Sequence, residues 1–171
     1  DCIKNQYIIE GENPLEIAAK QLIKDEIDIL HTIGGDDTNT TAGELVDYLS
    51  KNGYEITVVG LPKTVDNDVY PIYQTLGAWT AAMQGAIFFE NIVNENTTSS
   101  RQLIIHEIMG RHCGWLAAYT AYEYQNILKG KKFLPELFIS QERLGIDAVY
   151  IPEIDIPFKS EIRRLRLLMD K

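Results

Sequence analysis

The 171-residue chain has little cysteine, no long apolar run and a deficit of positive charge. Each shortage removes a class of function. Cys2 and Cys113 are too few and too far apart to frame a disulfide scaffold or a zinc site, so two reduced thiols are expected. No apolar stretch approaches the ~18 residues that a membrane-spanning helix needs. Nor is there a basic-then-apolar leader, and a cytoplasmic location is expected. The 16 Lys and Arg against 25 Asp and Glu leave a formal net charge of −9, which argues against nucleic acid or an anionic membrane as the main partner. Phosphorylated small molecules stay open, because they need only a local group of cations and a metal ion. His31, His106 and His112 lack metal-ligand spacing and read as structural or surface residues. There is no internal repeat or low-complexity tract. The first residue is Asp1, so the chain is expected to be a piece of a longer parent.

With 45% hydrophobic and 24% charged residues, the composition is that of a globular protein with one good core or two small lobes. Leu15, Ala18, Ala19, Leu22 and Ile23 share one face, and Pro14 suits a first turn, so a helix is predicted over Pro14–Lys24. Ile27 to Ile33 reads as a strand stopped by Gly34-Gly35. The polar stretch from Asp36 to Thr41 leads into a helix through Tyr48, ended near Gly53. Glu55 to Leu61 reads as a second buried strand closed by Pro62. Strand, loop, helix and strand in that order predict a right-handed βαβ unit with a parallel sheet. The second half repeats the alternation. Ala81, Ala82, Gly85, Phe89, Ile92 and Val93 mark the buried face of a long helix from Ala78. Leu103–Ile108 and Val149–Ile151 are predicted strands, and Trp115–Tyr124 and Glu161–Lys171 predicted helices. The fold class is α/β, with two Rossmann-like lobes of parallel-sheet βαβ units. A seam near Gly77 divides residues 1–77 from 78–171.

Ligands of open parallel sheets collect beyond the carboxyl ends of the strands, and polar clusters lie at three predicted ends. In Gly34-Gly35-Asp36-Asp37-Thr38-Asn39-Thr40-Thr41, paired glycines let the backbone approach an anion and a helix start offers N–H groups. Carboxylates there make sense if Mg²⁺ bridges them to phosphate. An ordinary N-cap loop accounts for the same residues equally well. Pro62-Lys63-Thr64-Val65-Asp66-Asn67-Asp68 holds a cation, a hydroxyl and acids able to accept a proton or orient a metal; alternatively it is a polar turn. Met109-Gly110-Arg111 joins a close-approach glycine to an arginine fork, or is a plain strand-to-helix turn. Together the three describe a phosphoryl-transfer site.

In order and in separation, these segments resemble the signature segments of the phosphofructokinase family, and the likeness continues through Ile151-Pro152-Glu153. The resemblance implies that Asp36 holds Mg²⁺ and that Asp66 is the general base for a sugar 1-hydroxyl. It implies that Thr64, Val65, Asp66 and Asp68 meet the transferred phosphoryl group and the sugar. Met109, Gly110 and Arg111 would line a fructose 6-phosphate site. Gly35, Asp37 and Lys63 would bind and select the phosphoryl donor. The ATP-using branch has glycine at the positions of Asp37 and Lys63, whereas the pyrophosphate-using branch has aspartate and lysine. A glycolytic, pyrophosphate-dependent enzyme is therefore expected. Arg101-Gln102 sits where many pyrophosphate-using relatives place a Lys-Tyr pair that reaches a neighbouring subunit's sugar-phosphate site. Arg101 is thus a candidate in a homo-oligomer, and a solvated loop arginine is the competing reading.

The resemblance also implies that a glycine-rich phosphate loop, a later sugar-site acid and the basic residues after it lie in the remainder of the subunit. The isolated chain is accordingly expected to be inactive. An ATP-dependent 6-phosphofructokinase and a non-catalytic regulatory subunit of the same family are the alternatives. A dinucleotide-binding domain is disfavoured, because Gly34-Gly35-Asp36 does not make a G-x-G-x-x-G turn.

Overall fold

The computed structural model describes residues 11, 13–96, 102–137 and 139–170. These divide into two compact units, one of residues up to 64 together with 69–76, the other of 65–68 together with 77 onward.

The first unit is built on one parallel strand pair. Helix α1 (Pro14–Lys24) has the predicted bounds: the Asn13 side chain accepts the Leu15 N–H at 2.9 Å, Pro14 opens the first turn and Lys24 closes the last. Strand β1 (Ile29–Gly34) and strand β2 (Thr57–Thr64) pair in parallel from Ile29↔Thr57 to Gly34↔Pro62, with helix α2 (Asp36–Lys51) between them in sequence. Strand β2 runs past the predicted stop at Pro62. Proline interrupts a ladder only where its N–H is needed, and alternate residues of a parallel strand point that group away from a given neighbour. Helix α2 starts at Asp36, directly after Gly35, and not beyond the polar stretch. Its first-turn carboxylates, Asp36 and Asp37, suit the positive end of a helix.

Ala19, Leu45 and Leu49 form the centre of this unit's core, with Leu30 and Val58 of the strands packed against them. The strands are covered on this side only. Ile29 (60% exposed), Ile33 (62%), Val59 and Leu61 lie bare, so the expected fully buried strands are half-buried in this chain. Buried Thr75 donates from Oγ1 to the Thr64 carbonyl at 2.7 Å. The two-residue strand β3 (Leu76–Gly77) follows as the third member of the sheet, in the order β1-β2-β3.

The second unit is mainly helical. Helix α3 (Ala78–Asn96) packs on helix α4 (Trp115–Lys129). The buried positions of α3 are Ala78, Ala82, Ala86 and Val93, four residues apart over the first turns, so the face is rotated slightly from the predicted one. The core gathers Ala86, Val93, Tyr124, Leu128 and Leu144, with Phe89, Ile104 and Phe133 against it. His106 stacks near Phe88 and Phe89, and burial lowers its pKa. Trp115 stacks on Tyr119 at 4.9 Å between ring centroids.

The predicted strands Leu103–Ile108 and Val149–Ile151 are absent. The alternation of 103–108 is present, with Ile104, His106 and Ile108 more covered than Leu103 and Ile105, but neither segment forms a ladder. Alternation supplies a face, whereas a strand also needs a neighbour to take its N–H and C=O groups. Helix α5 (Phe158–Met169) buries no residue and is tied down by Arg164, which bonds Glu161 and the Asp147 carbonyl. That guanidinium, then the Tyr150 hydroxyl, holds Glu161 down at about 2.

Tyr124 anchors this core through its hydroxyl, which donates to the Leu144 carbonyl at 2.6 Å. Burial, then the charge of Glu90, pushes its phenol up to about 12. A folded pKa above the unfolded value near 10 stabilises the fold below pH 10, and that contribution is lost as pH rises towards 12. Tyr124→Phe is expected to cost about 1–2 kcal/mol at neutral pH and to flatten this alkaline decline. Urea unfolding of the full-length protein between pH 7 and 11 measures both, and a variant as stable as wild type would contradict it.

Candidate active site

The carboxyl ends of β1 and β2 lie side by side, because Gly34 pairs with Pro62. A side-chain carbon on Gly35 would sit 3.7 Å from Thr64 Cβ and 4.0 Å from the Lys63 carbonyl oxygen. This packing gathers Gly35, Asp36, Asp37, Lys63 and Thr64 at one end of the sheet. Asp36, Asp37 and Lys63 are exposed there, and Thr64 is half-buried. The Thr75 hydroxyl fixes the Thr64 carbonyl where the chain leaves the strand.

The other expected residues belong to the second unit, beyond the peptide bond between Thr64 and Val65. Val65 and Asp66 are half-buried, Asp66 Oδ1 is out of solvent contact, and Asp68 is exposed. Asn67 has φ +55, a conformation that asparagine tolerates better than most residues and that turns the chain between the acids. Met109 is 69% exposed and Arg111 is exposed. Gly110 has φ +119, and a side-chain carbon there would lie 2.2 Å from the Cys113 carbonyl oxygen, so this turn requires glycine. Four residues on, the Gly114 N–H donates to Glu153 Oε1 at 2.7 Å, which ties Ile151-Pro152-Glu153 to the start of α4. Arg101 lies outside the described residues.

Among the described residues no group of three or more His, Cys, Asp or Glu could hold a metal ion. Asp36 and Asp37 offer hard oxygen donors in the first turn of α2, a chemistry that fits a hard divalent cation completed by phosphate oxygens. Thr75 escaped the sequence reading, because it acts through its burial, which no local pattern signals. Asn39 reads in sequence only as one member of the polar stretch, with no role of its own until the strand beneath it is known.

A family profile described as phosphofructokinase matches residues 4–169. The chain belongs to the phosphofructokinase family. It is 56% identical over its whole length to a pyrophosphate–fructose 6-phosphate 1-phosphotransferase of Methylomonas methanica, and 52% identical to one of Mastigamoeba balamuthi. In both cases it spans 42% of the relative's length. It also resembles the crystal structure of a pyrophosphate-dependent phosphofructokinase from Marinobacter aquaeolei. That likeness has a TM-score of 0.66 and 25% identity, over 88% of this chain and 35% of that one. The α/β, phosphofructokinase-like fold expected from the sequence is therefore the observed one. No helix among the described residues is long and apolar enough to cross a membrane.

Proposed function

We propose that the whole protein transfers a phosphoryl group from pyrophosphate to the 1-hydroxyl of fructose 6-phosphate, giving phosphate and fructose 1,6-bisphosphate. The observation that carries the donor is Asp37 together with Lys63 at the sheet end that also holds Gly35, in a chain whose near relatives are named for pyrophosphate. Residues 1–77 are then part of the donor lobe and residues 78–171 part of the fructose 6-phosphate lobe. In the transfer the sugar O1 forms a new P–O bond, the bridging P–O bond of pyrophosphate breaks, and the hydroxyl proton passes to the Asp66 carboxylate. Thr64, Val65 and Asp68 contact the reacting groups, and Met109, Gly110 and Arg111 hold the sugar phosphate, with Arg111 forking onto its oxygens. Asp36 would hold Mg²⁺, which supplies charge neutralisation on the phosphate oxygens. Such an enzyme works in the cytoplasm on soluble substrates.

The deciding experiment assays the full-length protein with fructose 6-phosphate and Mg²⁺, comparing pyrophosphate with ATP. Turnover with pyrophosphate and at least ~100-fold less with ATP is expected. A preference for ATP would overturn the donor assignment, and no turnover with either donor would favour a regulatory subunit.

Arg101 keeps the cation of the family's Lys-Tyr pair, and in a homo-oligomer it would serve the neighbouring subunit's sugar phosphate. Arg101→Ala is expected to raise KM for fructose 6-phosphate about 10-fold while sparing kcat, the signature of lost ground-state binding. An unchanged KM returns Arg101 to the solvent.

A further inference from the structure

The Gly34-Gly35 turn is held by a side chain to which nothing so far gives a role. Asn39 Nδ2 donates to two successive carbonyls, Gly34 O at 3.0 Å and Gly35 O at 2.7 Å. Its own backbone N–H also reaches Gly35 O, at 3.1 Å. The amide lies over Gly60 of β2, where a side-chain carbon would come within 2.6 Å of Asn39 Oδ1. Gly60 therefore leaves the space that Asn39 fills, and the half-buried amide bridges strand, turn and helix. In a planar trans peptide the C=O and N–H of one unit point in opposite directions. Holding the Gly34 and Gly35 carbonyls towards Asn39 thus turns the Gly35 and Asp36 N–H groups away from it. The same bonds fix the first turn that carries Asp36 and Asp37.

We propose that Asn39 is the positioning residue of the phosphoryl-donor site, setting the Gly34-Gly35 turn so that its amides and the two following carboxylates meet the donor. This rests on the donor reading given above. The alanine variant removes the clamp and leaves a small gap. Asn39→Asp keeps the shape, but a carboxylate cannot donate and would face two carbonyl oxygens. Thr38, which packs against Gly34, is untouched by either change.

The test uses the full-length protein with two readouts. In Asn39→Ala and Asn39→Asp, the protection against hydrogen exchange of the residue-39 amide, which bonds the Gly35 carbonyl, should fall about 10-fold or more, as expected when a local hold is released. KM for pyrophosphate should rise about 10-fold or more, while KM for fructose 6-phosphate stays within about twofold, because misplacement of one subsite should tax one substrate. Exchange and both KM values at wild-type levels would overturn the proposal. So would an equal rise in both KM values accompanied by a fall in Tm, which marks general loosening. Should the wild type show no pyrophosphate-dependent turnover, the donor reading falls, and the exchange measurement still decides whether Asn39 holds the turn.

Discussion

Asp66→Asn is expected to lower kcat about 10²–10⁴-fold while leaving KM for fructose 6-phosphate within a few-fold of wild type. The substitution keeps the shape of the side chain and removes its charge and with it its capacity to accept a proton. Asp66 is suited to that task by placement. It follows the end of β2 by two residues, it is half-buried, and Oδ1 is shielded from water. A carboxylate shielded on one side keeps its orientation, and a base must be aimed before its basicity counts. The left-handed turn at Asn67 separates it from exposed Asp68, so the two acids are presented differently by the backbone. The loss should appear with saturating pyrophosphate and sugar phosphate, since neither binding step uses the proton. Steady-state kinetics of the full-length protein over both substrates measures it. Near-normal turnover would mean that another group takes the proton.

The parts of this molecule that were legible in the sequence are those whose signal is local. Helix α1 was readable to the residue because its proline and its apolar face lie within one run of 11 residues. The three site segments are likewise short runs, each read at the end of a predicted element. What escaped depends on neighbours distant in sequence. Leu103–Ile108 alternates like a strand and finds no ladder, because the partner of a strand is not written in the strand itself. Ile33 and Leu61 looked like buried strand residues and lie bare, since α1 and α2 cover only the opposite face. Pro62 reads as a stop in sequence, yet the ladder needs nothing from its missing N–H. Asn39 and Gly60 become a pair only once β2 is laid beside α2. Glu153 and Gly114, thirty-nine positions apart, meet only in the folded unit.

Donor choice is expected to turn on Asp37 and Lys63, and four proteins should separate their contributions. A carboxylate placed ~4 Å from a phosphate oxygen costs about 1 kcal/mol in water and several times that where water is excluded. Asp37, in the first turn of α2, brings both that charge and its bulk to the end of the sheet where the donor is proposed to bind. On the donor reading, pyrophosphate would end before this residue, whereas ATP would have to continue past it. Asp37→Gly should therefore open room for the nucleotide and yield measurable ATP-dependent turnover. Lys63 acts in the other direction. It is exposed, with its carbonyl near Gly35, and on the donor reading it would supply a cation to a leaving group that gains charge as the P–O bond breaks. Lys63→Gly should lower the pyrophosphate-dependent kcat at least about 100-fold, equivalent to ~2.7 kcal/mol of transition-state stabilisation. Neither change alters a residue of the proposed base or of the sugar-phosphate turn, so KM for fructose 6-phosphate should hold in all variants. The double variant should favour ATP more than either single one, because one substitution removes the obstacle to the longer donor and the other removes support for the shorter. Measuring kcat/KM for both donors in the wild type, the two single variants and the double variant completes the comparison. If Asp37→Gly gains no ATP activity and Lys63→Gly leaves pyrophosphate use intact, donor choice is set elsewhere and the pyrophosphate assignment loses its main physical support.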